Sequence, residues 1–161
     1  MSVIPVPFHV GIVVADVERA MAELGDLLGV TWCHPITGVA SHHLHQGEVV
    51  PTMGTSTCAP QGAVYSRNGP PHLELIQQRE GTVWAETGLH HLGVWVDDFH
   101  ETSADFEAKG CPLEAVASVA EDGTWIAGPY HRTDEGLRIE IVDIGRSGPK
   151  LARYLDGLPY A

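Results

Sequence analysis

The chain is short of basic residues and of cysteine, and it contains no long apolar run. Its 161 residues carry nine Lys and Arg against 21 Asp and Glu, a formal net charge of −12. A field of that sign repels phosphate backbones and anionic lipid headgroups, so nucleic acid and membrane surfaces are excluded as ready partners. A small anionic ligand stays admissible, because Arg67, Arg132 and Arg138 act at short range. The three cysteines, Cys33, Cys58 and Cys111, are odd in number, far apart and without a C-x-x-C pair. That pattern fits reduced thiols and speaks against a disulfide framework. The segment from Met1 to Val10 lacks the basic and apolar stretches of an export signal. No run approaches the roughly 18 apolar residues of a membrane span. A cytoplasmic protein is therefore expected.

What is present suits one globular domain of about 150 residues, since 43% of the residues are hydrophobic. The domain is internally duplicated. Phe8 to Asp16 (FHVGIVVAD) lines up with His90 to Asp98 (HHLGVWVDD) in a shared frame H-φ-G-φ-x-V-x-D, where φ is apolar. His72 to Gln77 (HLELIQ) lines up in the same way with Arg138 to Asp143 (RIEIVD).

Each half opens on a strand-like run and reaches an Asp, Asp16 or Asp98, suited to cap a helix. In the first helix Val17, Met21, Leu24 and Leu28 recur at helical spacing before a stop at Gly29. In the second, Phe99 and Phe106 mark the apolar face before Gly110. Three strand candidates follow each helix, which gives βαβββ twice in an α+β fold. The first unit spans 1–82 and the second 83–145, with a tail at 146–161 that is helical at most over Pro149 to Leu155. The first half is the longer between its matched segments. Its extra residues fall in a Pro, Gly and Thr-rich loop at about 50–62, expected to form a rim or lid.

Side chains alternate faces along a strand. His9 then shares a face with Gly11 and Val13, His91 with Gly93 and Trp95, Glu74 with Ile76, and Glu140 with Val142. An imidazole or a carboxylate within a sheet is costly to desolvate unless it is paired. The same two types at matched positions in both halves therefore suggest one shared partner, most simply a divalent cation held by His9, Glu74, His91 and Glu140. Two neutral imidazoles and two carboxylates leave one or two coordination positions open, and open positions mean catalysis rather than a structural site. The competing reading pairs Glu74 and Glu140 with Arg67 or Arg138 and leaves the histidines in the core.

The paired H-φ-G strands, the later ELIQ and IEIVD strands and the duplication resemble the vicinal oxygen chelate superfamily, which includes glyoxalase I, methylmalonyl-CoA epimerase, extradiol dioxygenases and antibiotic-resistance proteins. The resemblance covers residues 8 to 144. It implies a cup-shaped, partly open mixed sheet with His9, Glu74, His91 and Glu140 at the four ligand positions. The stretch GLHHLG followed by VDD looks most like the epimerase branch, where the second His of the pair is the ligand, and His90 would then face the helices. The four-ligand set argues against a dioxygenase, whose iron keeps two His and one Glu.

An enzyme of this kind chelates a small carbonyl substrate through two vicinal oxygens and removes a proton next to the carbonyl, as an epimerase, an isomerase or a glyoxalase-type lyase. The epimerase branch places a carboxylate base in the first half, roughly where Glu48 stands, while His43, His45 and His131 are the alternative bases. Trp95, Tyr130 and Arg132 are candidate substrate contacts. The ion is Co, Mn, Ni, Zn or Fe. A homodimer is expected from the resemblance. The rival functions are a metal-free resistance-type binding protein, for which the four tryptophans and the acidic charge would suit an aromatic or cationic ligand, and a non-haem iron extradiol-type dioxygenase.

Overall fold

A computed structural model describes residues 6–36, 42–51 and 63–160. Nine strands form one sheet in the order β3-β2-β7-β8-β9-β6-β1-β5-β4. The strands are β1 (His9–Val14), β2 (His42–His45), β3 (Glu48–Pro51), β4 (Ala63–Tyr65), β5 (His72–Gln77), β6 (Gly88–Val96), β7 (Leu113–Val119), β8 (Trp125–Arg132) and β9 (Arg138–Asp143). The helices are α1 (Val17–Leu28), α2 (Phe99–Ala108) and α3 (Ile144–Leu155). The mixed sheet curls into a half-barrel, an α+β cup.

Both expected caps are made. Asp16 accepts from the Arg19 backbone N–H and Asp98 from that of Glu101, each at 2.9 Å. Gly29 stops α1 in the left-handed region at φ 69°. Met21 and Leu24 pack on Val64 and Leu75, whereas Leu28, one turn further, is 66% exposed beyond the edge of the sheet. Phe99 and Phe106 of α2 pack on Val94, Val96 and Ile141. Leu75 and Ile141 alternate with Glu74 and Glu140, so α1 and α2 lie on the face opposite the carboxylates.

The two halves meet where β1 pairs antiparallel with β6, and in each half the first strand pairs in parallel with a later one, β1 with β5 and β6 with β9. The second half continues through β8 to β7. In the first half the strand next to β4 is reduced to a single bridge, Trp32 to Ser66. The extra residues of that half instead make the hairpin β2–β3, which turns at Gln46 (φ 52°) and Gly47 (φ 82°). Positive φ at both turn positions suits the right-handed twist of a two-residue hairpin. The hairpin crosses over to pair with β7, the outer strand of the other half. Residues 52–62, the larger part of the loop expected as a rim, lie outside the described residues.

Helix α3 begins at Ile144, five residues before the expected start. Asp143 caps it by accepting from the Arg146 N–H at 2.8 Å. Gly145, Gly148 and Pro149 are poor helix formers, but burial of Leu151 and Tyr154 against Phe8, Tyr65 and Val142 outweighs them. That packing lays α3 over the concave face of the sheet.

Candidate metal centre

One ring nitrogen from each histidine and one oxygen from each carboxylate of His9, Glu74, His91 and Glu140 lie within 4.8 Å of one another, and all four residues are buried. His9 Nε2 is 2.9 Å from Glu140 Oε2 and 3.3 Å from Glu74 Oε2. His91 Nε2 is 3.1 Å from each of the same two atoms. The two imidazole Nε2 atoms are 2.8 Å apart. Ligands held about 2.0–2.2 Å from one divalent ion stand about 2.8–3.6 Å from each other, so the four atoms already have the spacing of a coordination shell. Neither carboxylate Oε2 accepts a well-aligned hydrogen bond. Buried acceptors in that state need a cation.

The H-φ-G frame has a steric reason. In the β1–β6 register His9 stands opposite Gly93 and Gly11 opposite His91. A Cβ on Gly93 would fall 1.9 Å from the His9 ring, and one on Gly11 would fall 2.0 Å from the His91 ring. Each half's glycine makes room for the other half's histidine. Gly128 does the same for Glu140, since a Cβ there would lie 2.7 Å from Oε1.

Electrostatics ties the four groups together. Burial opposes the imidazolium of His9, yet Glu74 and Glu140 carry its pKa up to about 9, and His91 is raised by the same neighbours. Burial also opposes the carboxylates, but the two histidines hold Glu74 and Glu140 below the usual range. The set is a proton-sharing cluster that a divalent ion can occupy by displacing the protons.

The cluster opens on a cavity of about 360 Å³ whose wall includes Glu74 and Glu140. Tyr65 and Tyr130 also line it and are themselves a matched pair. Tyr65 is the cross-strand neighbour of Glu74 and Tyr130 that of Glu140. Their ring centroids lie 5.3 Å from His9 and 5.0 Å from His91. Burial pushes both phenols well above their ordinary pKa, so they stay neutral and act as hydrogen-bond donors.

Sequence and structure comparisons point one way. The profile of the Glyoxalase/Bleomycin resistance protein/Dioxygenase superfamily matches residues 8–127. The chain belongs to this superfamily. Among solved structures it is similar in fold to methylmalonyl-CoA epimerase from Mycobacterium tuberculosis, with 19% identity, a TM-score of 0.53, and 88% of this chain and 89% of that one covered. A variant of the Streptomyces coelicolor methylmalonyl-CoA epimerase, solved with 2-nitronate-propionyl-CoA, has 16% identity, a TM-score of 0.51 and coverages of 88% and 94%. A hypothetical protein from Bacillus halodurans has 12% identity, a TM-score of 0.54 and coverages of 83% and 90%. No curated protein matches the chain. The chain thus has the vicinal oxygen chelate fold, which it shares with these epimerases.

The structure places the other candidate residues around this superfamily cup as follows. Glu48 is exposed and borders, with His45 and Thr82, a separate cavity of about 420 Å³. His43 is buried, with its ring 5.5 Å from that of Trp84, a wall residue of the main cavity. His131 bonds Ser103 Oγ and the Cys111 carbonyl, both at 2.9 Å, away from the cavity wall. Tyr130 lines the cavity, while Trp95 stacks on Phe8 at 3.9 Å in the cluster under α3. Arg132 and Arg138 both bond Glu114, and Arg67 donates to the Asp156 carbonyl. Sequence reasoning missed Arg79, Lys150 and Leu151, and named Trp84 only among the four tryptophans suited to an aromatic or cationic ligand; all four are wall residues. The one usable signal among them is the Asp143 cap, which starts α3 early enough to carry Lys150 and Leu151 to the cavity.

His90 also departs from expectation. It points into the same buried layer as His91 rather than toward the helices, because β6 carries a bulge there: Gly11 faces His91, while the next residue, Ile12, faces Leu89. Burial, with the neighbouring His91 adding to it, lowers the His90 pKa to about 4, so the ring is neutral.

Proposed function

We propose that the protein is a divalent-metal enzyme that binds a small, acid-bearing carbonyl compound through two vicinal oxygens and moves a proton from the carbon next to the carbonyl, giving epimerisation or isomerisation. The observation that supports this reading is the convergence of four groups able to ligate a metal, one His and one Glu from each half, beside a cavity of about 360 Å³ whose wall includes both carboxylates. A bound divalent ion supplies Lewis acidity, stabilising the negative charge that develops on the carbonyl oxygen.

The chain's own groups do the rest. Glu74 and Glu140 line the cavity wall and are held ionised by their histidine neighbours, so each has an oxygen free of a proton there. We assign the transfer to Glu140, whose second oxygen, Oε1, lies over Gly128 on that wall. Tyr65 and Tyr130, held neutral, donate hydrogen bonds to a substrate oxygen from either side. Apolar walls at Ile76, Trp84 and Val142 exclude water. Arg79 supports an acidic group on the substrate. It is half-buried in the wall, has no ion-pair partner among the described residues, and the undescribed segments contain no Asp or Glu side chain.

The test is elemental analysis of untagged protein followed by deuterium exchange in D2O at the α-carbon of methylmalonyl-CoA and of smaller 2-alkyl-3-oxo acids. One divalent ion per chain and metal-dependent exchange on any of these probes are expected. Ligand binding by stable metal-free protein with no exchange would make it a sequestering protein instead.

A further inference from the structure

We infer that His90 is a positioning residue that sets the tautomer and ring orientation of His91 for a divalent ion, an inference that rests on the cluster being a metal site. Regular alternation would put His90 and His91 on opposite faces of β6. The bulge removes that alternation, and the two rings lie 5.2 Å apart and nearly perpendicular at 89° in one buried layer.

Hydrogen-bond directions follow from the partners. His90 Nε2 is 2.9 Å from the Val83 carbonyl oxygen, which only accepts, so Nε2 carries a proton. In a neutral ring Nδ1 then holds a lone pair, and it stands 2.9 Å from His91 Nδ1. His91 Nδ1 must donate to it. Once an ion takes the place of the cluster's shared protons, His91 Nε2 is the nitrogen left unprotonated, and this is the atom aimed at His9, Glu74 and Glu140. Were the chain reversed, His91 would present an N–H to the cluster and could not ligate. The Val83 end is itself anchored, since the adjacent Trp84 carbonyl accepts from the Arg79 N–H at 3.0 Å. His9 has no such partner, because its Nδ1 is buried without a hydrogen bond among the described residues. Outer-shell partners of ligating histidines typically change metal affinity by about 10–100-fold.

Two variants separate this role from simple anchoring. His90→Asn keeps an acceptor near the Nδ1 position and gives up the bond to Val83. His90→Gln keeps a donor toward Val83 and gives up the acceptor. Zn(II) and Co(II) affinity is measured by chelator competition, and ring tautomers by long-range 1H–15N NMR of the zinc-loaded protein. His90→Gln is expected to bind about 10–100-fold more weakly, with altered Co(II) absorption, while His90→Asn stays close to wild type. Equal affinities, or the opposite order, overturn the inference. Should neither variant fold, the zinc-loaded wild type decides: His90 unprotonated at Nδ1 supports the relay, and His90 protonated there sinks it. A wild-type protein that takes up neither ion fails the metal reading itself, which distinguishes that failure from this one.

Discussion

The two halves build one cluster from the same parts but hold those parts differently. His9 and His91, Glu74 and Glu140, Tyr65 and Tyr130, and Gly11 and Gly93 are four matched pairs, all at or beside the converging atoms. Away from those atoms the match is partial: the helix caps at Asp16 and Asp98 repeat, but other neighbours do not. The residue before His9 is Phe8, which stacks on Trp95, whereas the residue before His91 is His90, which bonds it. The first half sends out the hairpin β2–β3, and the second half receives it on β7. The converging groups are therefore all duplicated, and what differs around them decides how firmly each histidine is held and which walls the cavity has.

Removing a ligand should have the largest effect and the same effect from either half. His9→Ala, His91→Ala, Glu74→Ala and Glu140→Ala are each expected to weaken divalent-ion binding by more than the roughly 100-fold reached by outer-shell changes, and to abolish exchange activity. Isothermal titration and elemental analysis check this. Full activity of Glu74→Ala with retained iron and oxygen uptake would instead support a three-ligand dioxygenase. Next come the glycines, whose effects should cross between halves. Gly11→Ala forces a Cβ into the His91 ring and Gly93→Ala one into the His9 ring. Overpacking of this kind costs about 1–3 kcal/mol, occasionally more. Ring NMR should show each alanine disturbing the histidine of the other strand first, and damage confined to the alanine's own half would contradict the register.

Protonation offers a third test. In the metal-free protein burial works against a charge on His9, but Glu74 and Glu140 lift its pKa from about 6.5 to about 9. A raised folded-state pKa means that this contribution to stability is fully present below about pH 6.5 and is lost as pH rises through about 9. Ion binding requires the neutral ring, so uptake near pH 7 should release a proton from His9 and affinity should climb with pH toward 9. Titrations in buffers of different ionisation enthalpy measure the protons released. Thermal melts between pH 7 and 10 should fall for metal-free protein and stay level for the loaded form.

Much of this was legible in the sequence because it is local or repeated. Asp16, Asp98 and Gly29 act within one turn of their helices, and the histidines and glutamates of the cluster were readable because a second copy of each stands in the other half. The remainder depends on contacts between distant segments. Nothing near His42 to Pro51 shows that its partner is β7, some 70 residues on. The alternation rule placed His90 with the helices, and a single-residue bulge, invisible to periodicity, reverses that. Helix α3 was under-read because Gly145, Gly148 and Pro149 weigh against a helix locally, while the burial of Leu151 and Tyr154 is settled by Phe8 and Tyr65 far upstream. Arg79 carries no sequence signal, since its value lies in having no ion-pair partner among the described residues, which only the folded chain shows.

The smallest effect should come from the hairpin, where the halves differ most. Gly47 holds φ 82° at the turn between β2 and β3, a conformation that costs an L side chain about 1–2 kcal/mol. Nothing lies within 4 Å of the position a Cβ would take, so Gly47→Ala adds backbone strain and no clash. For a chain of this length each kcal/mol lowers the melting temperature by roughly 2–4 °C. Gly47→Ala should therefore melt a few degrees lower while binding divalent ions as tightly as wild type, because none of the four converging side chains lies on β2 or β3, which meet the cluster indirectly, through β7 and β8 and through the contact of His43 with Trp84. An equal fall in metal affinity would mean that the inserted strands help to set the cluster's geometry. The line between the duplicated cluster and the unmatched parts around it would then have to be redrawn to include β2 and β3.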